Sequence, residues 1–115
     1  MKIDLSNINP EELLLFNKLE ESIVKLIPIK SNLRLYHLAF LIDYPPNKTS
    51  ELVRKIYGNR LDVFINNYRL SYFDELMNKE IYGENKVVKI HLIKKAGFKS
   101  RNTFYCALKR KNELL

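Results

Sequence analysis

Hydrophobic residues recur at helical spacing along most of the chain. In the first such segment, Pro10 to Ile27, leucines and isoleucines return every three or four residues. Asn9 and Pro10 are typical of a helix start, and Pro28 ends the segment. The polar residues of this segment carry both charges, which is typical of a helix that packs against a core.

Five further helices are predicted along the rest of the chain. Two short ones cover about 33–42, capped by Ser31 or Asn32, and 47–57, and the sequence DYPP separates them. A long helix covers about 60–79, because twenty residues without Gly or Pro keep helical spacing. The last two cover 87–96, which ends at Gly97, and 101–111, capped by Ser100. No strand is predicted.

The same outline occurs twice, about fifty residues apart. Each copy has a short apolar helix, a tight turn and a second helix with a polar outer stripe, which is the outline of a helix-turn-helix. Thr49, Leu52, Val53 and Ile56 form the buried stripe of the first copy. The sequence therefore predicts an all-α fold of about seven helices, six of which have the bounds given above. Its predicted parts are a tail at 1–9, a first helix-turn-helix subdomain at 10–58, a linker helix at 59–80 and a second subdomain at 81–115.

The positive charge lies mainly in the last quarter of the chain. The net charge is +7, yet residues 31–85 carry seven basic and seven acidic residues. Residues 86–112 carry nine Lys or Arg and no acid. Such a cluster favours a polyanionic partner. The alternative is a solvated face that only aids solubility.

Several classes of protein find no support in the sequence. No apolar run approaches the ~18 residues of a membrane span, so no membrane partner is expected. The single Cys106 permits no internal disulfide and fits a reducing cytoplasm. His37 and His91 stand apart, and no zinc spacing, nucleophile–base set or phosphate loop occurs. We therefore expect no enzymatic activity and no cofactor.

The stretches "IYGNRLDVFINNYRL", "AGFKSRNTFYCALKRK" and "LAFLIDYPPNKTSELV" are the three most distinctive motifs of the chain. They resemble the C-terminal DNA-binding domain of the AraC/XylS family of bacterial transcription regulators. "IYGNRLDVFINNYRL" is similar to the family pattern Gly-x-x-Phe-x-x-φ-φ-Asn-x-Tyr-Arg-φ, where φ is apolar. "AGFKSRNTFYCALKRK" is similar to Gly-Phe-x-Ser-x-x-x-Phe-x-x-x-Phe-Lys, and "LAFLIDYPPNKTSELV" to Leu-Ala-x-x-φ-Gly-φ-Ser-Pro-x-x-Leu-Ser. Together they span about residues 33–111.

The chain departs from these patterns at several positions. Asp43 stands where the first turn usually has Gly, and Pro45 replaces the usual capping Ser. Thr49 replaces a buried Leu, and Ile93 replaces a small Ala that lets two helices approach. We expect the changes at Thr49 and Ile93 to alter helix packing and so the tilt of a recognition helix.

The resemblance implies two recognition helices that enter adjacent major-groove turns of double-stranded DNA. In the second, Arg101 would grip guanine, Asn102 would read adenine, and Tyr105 would pack on a sugar or a thymine methyl. Phosphates would be held by Lys99, Lys109, Arg110 and the helix start after Ser100. In the first, the candidates are Asn47, Lys48, Ser50 and Lys55, with Glu51 as a cytosine reader or a clash.

The family's architecture adds two expectations. RNA polymerase is a further candidate partner, and an effector or dimerisation domain is expected outside these 115 residues. One alternative remains open, because the first unit has no basic face. The chain would then be a helical protein-interaction module that has lost site-specific DNA reading.

Overall fold

The structure of the chain is a computed structural model that describes residues 6–27, 33–82 and 84–114. Over these residues the fold is all-helical. Within those ranges there are six helices and no strand, close to the about seven helices predicted. Their bounds match the predicted ones within about three residues. The proposed capping residues Ser31 and Asn32, and Pro28, lie outside the described ranges. The helices are α1 (Pro10–Leu26), α2 (Leu35–Leu41), α3 (Pro46–Tyr57), α4 (Leu61–Lys79), α5 (Lys86–Lys95) and α6 (Arg101–Leu114).

Helix α1 begins as its sequence predicts. The Asn9 side-chain oxygen accepts the Glu12 N–H at 2.8 Å, and the Glu12 carboxylate accepts the Asn9 N–H at 3.3 Å. This reciprocal capping box satisfies two N–H groups that the first turn leaves without helical partners. Phe16, Leu19 and Ile23 then form the buried face of the helix.

The helix pairs α2–α3 and α5–α6 share one turn geometry. Asp43 and Gly97 each lie two residues beyond the end of the first helix, and both have positive φ, 54° and 104°. The next N–H donates to the carbonyl five residues earlier in each pair, from Tyr44 to Ala39 at 3.0 Å and from Phe98 to Ile93 at 3.3 Å. This is the bonding pattern of a Schellman turn. The duplication inferred from the sequence therefore extends to the backbone of the two turns.

Two buried positions near these turns hold one small and one large side chain, in opposite order in the two helix pairs. The first pair has Ala39 and Ile42, and the second has Ile93 and Ala96 at the equivalent places. All four side chains are buried. Interiors are close-packed, and each pair fills these two positions with one large and one small residue, so the summed side-chain volume is the same. The larger Ile93 is thus accompanied by the smaller Ala96.

Helix α4 joins two separate hydrophobic cores. Leu61 and Phe64 near its start pack in a first core with α1, α2 and α3. Leu70 and Phe73 near its end pack in a second core with α5 and α6. Tyr72 is packed against both cores. The helix has 19 residues, a length of about 28 Å, and it is the shared wall of both units.

The turn between α5 and α6 lies directly on α4. A Cβ atom at Gly97 would lie 3.1 Å from Nε of Arg69 and 3.5 Å from its Cδ. Nη1 of Arg69 donates to Oδ1 of Asn66 at 3.0 Å, and burial lowers the pKa of the guanidinium. Gly97 therefore has two roles, because it adopts a left-handed backbone and admits the Arg69 stem.

Candidate nucleic-acid interface

The outer face of α6 carries most of the residues predicted to contact DNA. Arg101, Asn102, Tyr105 and Lys109 are all exposed, and Lys99 is exposed just before the helix. Their spacing places them along one side of a helix with 3.6 residues per turn. The prediction that these side chains face outward together is confirmed.

Ser100 and Thr103 cap the start of α6 through reciprocal hydrogen bonds. The Thr103 N–H donates to Oγ of Ser100 at 3.2 Å, and the Ser100 N–H donates to Oγ1 of Thr103 at 3.1 Å. Ser100 therefore caps the helix, as its sequence predicts, and its own side chain is half-buried. The N–H groups of the first turn and the basic residues beside them form an electropositive helix start.

Aromatic rings beneath α6 hold this face in position. Phe104 is buried and packs edge-to-face on Phe73 of α4, with ring centroids 4.6 Å apart, and on Phe98 at 5.4 Å. Such pairs contribute about 0.5–1.5 kcal/mol beyond the area they bury. Phe98 and Phe104 of the basic segment are thus core anchors, while Tyr105 and most of the charged side chains of the segment are exposed.

A shallow cleft between α5 and α6 brings in two lysines that the sequence analysis did not single out. Lys86, Lys89 and Arg101 line it together with Tyr105 and one acid, Glu84. Nζ of Lys89 lies 5.8 Å from the Tyr105 ring centroid, within the range of a cation–π contact. The basic face therefore continues from α6 onto the start of α5.

Arg110 lies apart from this group. Nine residues after Arg101 it lies two and a half turns away, on another side of α6 and about 14 Å along it. Its Nη1 is 3.9 Å from Oδ2 of Asp62, at the start of α4, and Asp62 also pairs with Arg60 at 3.3 Å. The phosphate contact predicted for Arg110 would compete with this carboxylate.

Helix α3 exposes four of the five side chains predicted for it, and it also exposes one that was not predicted. Asn47 and Glu51 are exposed, and Ser50 is half-buried beside them. Arg54 is exposed on the same side, three residues after Glu51 and seven after Asn47, and sequence reasoning did not name it. Its spacing was a sufficient signal, since positions i, i+4 and i+7 share a helix face. The buried stripe predicted for this helix is confirmed, because Thr49, Leu52, Val53 and Ile56 are all buried.

Lys55 contacts α1, which reduces its value as a DNA ligand. Its Nζ donates to both Glu12 carboxylate oxygens, at 3.1 and 3.2 Å. The hydrogen bond from Lys55, followed by that from the Asn9 N–H, lowers the pKa of the Glu12 carboxyl group. Lys48 is exposed and lines the same small cleft beside Glu12. The first helix pair thus presents fewer unpaired cations than the second.

Two phenols hold α4 at the edge of the first core. The Tyr68 hydroxyl donates to Oε2 of Glu20 at 2.7 Å, and the Tyr57 hydroxyl accepts from the Asn67 amide. Burial, and then the bond to Glu20, raise the pKa of Tyr68. These contacts link α4 to α1 and to α3, and they hold the helix that both units share.

Other chemistry is sparse in the part of the chain that the structure describes. Over those residues no cluster of three His, Cys, Asp or Glu could hold a metal ion. None of the described helices is long and apolar enough to cross a membrane. Cys106 is exposed on α6, between Tyr105 and the buried Ala107.

Three comparisons with known proteins found no relative of this chain. No family model, no curated protein and no solved structure matches the chain. The resemblance to the AraC/XylS family therefore rests on the three motifs. Two observations fit those motifs. Asp43, where the family usually has Gly, has a positive φ that Gly or Asp tolerates, and Gly97 has one as well.

Proposed function

We propose that the chain binds double-stranded DNA site-specifically, as the DNA-binding part of a transcription regulator of the AraC/XylS type. Helices α3 and α6 would act as recognition helices in adjacent major-groove turns. The observation that carries the proposal is the outer face of α6. It combines exposed Arg101, Asn102, Tyr105 and Lys109 with a rigid aromatic anchor beneath them.

The composition of this face matches what DNA requires. Cations neutralise phosphates, while a guanidinium and an amide read base edges in the major groove. The neighbouring Lys86 and Lys89 extend the positive charge beyond a single helix. Residues 86–112 contain no acid that would repel the DNA backbone, although Glu84 lines the cleft beside Lys86 and Lys89. The alternative is a charged face that only aids solubility. Such a face would not require these side chains to be held together on one capped helix with an aromatic anchor.

The two units would contribute unequally to binding. The second offers Lys99, Arg101 and Lys109 without an ion pair among the described residues, whereas Lys55 of the first is paired with Glu12. In the first unit Arg54 and Asn47 are the better candidates for base contacts. We therefore expect the second unit to supply most of the affinity, and the first to add a shorter, weaker preference.

Selection from a random pool of short duplexes, with affinities measured at several salt concentrations, tests the proposal. The expected result is a site of two short blocks about one helical turn apart. Arg101→Ala should lower the preference for the bases in the block that α6 reads by about tenfold or more. Arg101→Lys is the matched control. Lysine keeps the charge but cannot form the bidentate contact with guanine. The dependence of affinity on salt concentration should therefore stay the same, while the preference for the base weakens.

The first unit has its own pair of variants. Arg54→Ala should weaken the other block, and Lys55→Ala should leave binding nearly unchanged because Glu12 already neutralises Lys55. Binding that enriches no sequence and vanishes near physiological salt would refute the proposal. The chain would then fit the alternative, a helical protein-interaction module, which the balanced charge of residues 31–85 favours.

A further inference from the structure

The outer face of α2 is apolar and exposed. Phe40 is 85% exposed, Tyr36 59% and Leu41 52%, whereas Leu38 on the opposite side is buried in the first core. Single exposed hydrophobic residues are ordinary on protein surfaces. Three on one seven-residue helix form a contiguous patch, and contiguous patches mark interaction sites.

The patch continues into the turn that follows. A broad groove runs from Tyr36 and Phe40 to Tyr44, Pro45 and Pro46. Among the residues that the structure describes, no Lys or Arg lines this groove, although the chain carries 20 of them. Two copies of the chain would repel one another mainly where the basic segment 86–112 of one faces that of the other. This face is one where they could meet without bringing cations together.

The ends of α2 carry opposite charges. Arg34 directly precedes the helix and Asp43 follows its end, and both side chains are exposed. Neither forms an ion pair with another described residue. When two α2 helices lie antiparallel, the Arg34 end of each helix meets the Asp43 end of the other. A two-fold axis then makes both contacts at once, as an isologous interface requires.

We propose that α2 is a self-association surface, on which a second copy of this chain docks with its own α2 antiparallel. The three large side chains would bury on the order of 400 Å² per copy, about half of a standard interface. A patch of this size supports a weak dimer, with a dissociation constant in the micromolar range or above. The inference does not rest on DNA binding, because the three large side chains belong to α2 and the groove reaches only Pro46, the first residue of α3.

Sedimentation of the full chain between about 5 and 500 µM, without DNA, tests the surface. We expect a monomer–dimer equilibrium in the wild type, weakened about tenfold or more by Phe40→Ser. Ile81→Ser is the matched control, because Ile81 is 88% exposed and lies outside α2. It should leave the equilibrium unchanged, and circular dichroism should show both variants folded.

A charge exchange tests the antiparallel arrangement. Arg34→Glu alone and Asp43→Lys alone should each weaken the dimer, because like charges then meet at both ends. An equal mixture of the two variants should restore it, since a mixed dimer pairs Glu with Lys and Asp with Arg. This restoration is specific to the proposed arrangement.

Three results would overturn the inference. The wild type could sediment as a monomer throughout, and a different protein would then be the occupant of the groove. Ile81→Ser could weaken association as much as Phe40→Ser does, or the mixture of charge variants could stay monomeric. Failure of the DNA selection alone would leave the inference intact, since sedimentation is measured without DNA.

Discussion

Replacing Gly97 by alanine should destabilise the protein by about 2 kcal/mol. A left-handed backbone costs a residue with a Cβ about 1–2 kcal/mol, of which about 0.4–1 kcal/mol is regained because alanine restricts the unfolded chain. The new Cβ would also lie 3.1 Å from Nε of Arg69, closer than ordinary contact. Arg69 would have to move, and its 3.0 Å bond to Asn66 would weaken. That disturbance adds about 1 kcal/mol.

Gly58 provides a matched control for the backbone cost. Its φ is 80°, and nothing outside the adjoining residues lies within 4 Å of a Cβ placed there. Gly58→Ala should therefore carry backbone strain alone, about 1 kcal/mol or less. Urea unfolding followed by far-UV circular dichroism measures both variants, and the slope with urea should not change.

A double variant isolates the contact with Arg69. In an Arg69→Ala background the stem is gone, so Gly97→Ala should cost no more than Gly58→Ala does in the wild type. Equal costs for the two glycine variants in the wild-type background would refute the role assigned to Arg69. So would a Gly97→Ala penalty that persists undiminished in the Arg69→Ala background.

Two further predictions concern the anchor of α6 and the start of α1. Phe104→Ala should cost about 3–5 kcal/mol in urea unfolding, because it empties a packed aromatic site, whereas Tyr105→Ala at the exposed neighbouring position should cost about 1 kcal/mol or less. The folded state lowers the pKa of Glu12 below its ordinary 4.5, so its stabilising contribution is present above that pH and is lost as the pH falls through the folded value. Unfolding midpoints between about pH 6 and pH 3 should therefore fall further for the wild type than for Glu12→Gln, and equal slopes would contradict the pairing with Lys55.

The helices were predictable because their boundaries are local features. Asn9 and Ser100 cap a helix through atoms three residues away, and Gly58 and Gly97 end one by adopting a left-handed backbone. The inward sides of α3 and α6 were also predictable, since each helix packs against one core and keeps one apolar stripe. Such signals lie within a few residues and survive without knowledge of the fold.

The buried residues of helix α4 do not form the single apolar stripe that a helical pattern assumes. Leu61, Phe64 and Tyr68 face the first core, whereas Leu70 and Phe73 face the second from a different side of the helix. The buried side therefore rotates about the axis from one half to the other. A sequence pattern that assumes one buried face cannot represent this, although the length and helicity of the segment were evident.

The charge pairing of the candidate site could not be predicted. Lys55 meets Glu12 43 residues away, and Arg110 meets Asp62 at a similar separation. Both contacts depend on how helices pack, so no local pattern encodes them. They divide the cations predicted to contact DNA into those with no ion pair among the described residues and those already paired with a carboxylate.

The exchanged sizes in the two turns have an evolutionary consequence. Ala39→Ile alone would overfill the first turn, and Ile42→Ala alone would leave a cavity in it, so either single step passes through a less stable protein. Both changes together would reproduce the arrangement of Ile93 and Ala96. The two positions are thus expected to vary as a unit, and a lineage that acquired one arrangement would rarely return to the other.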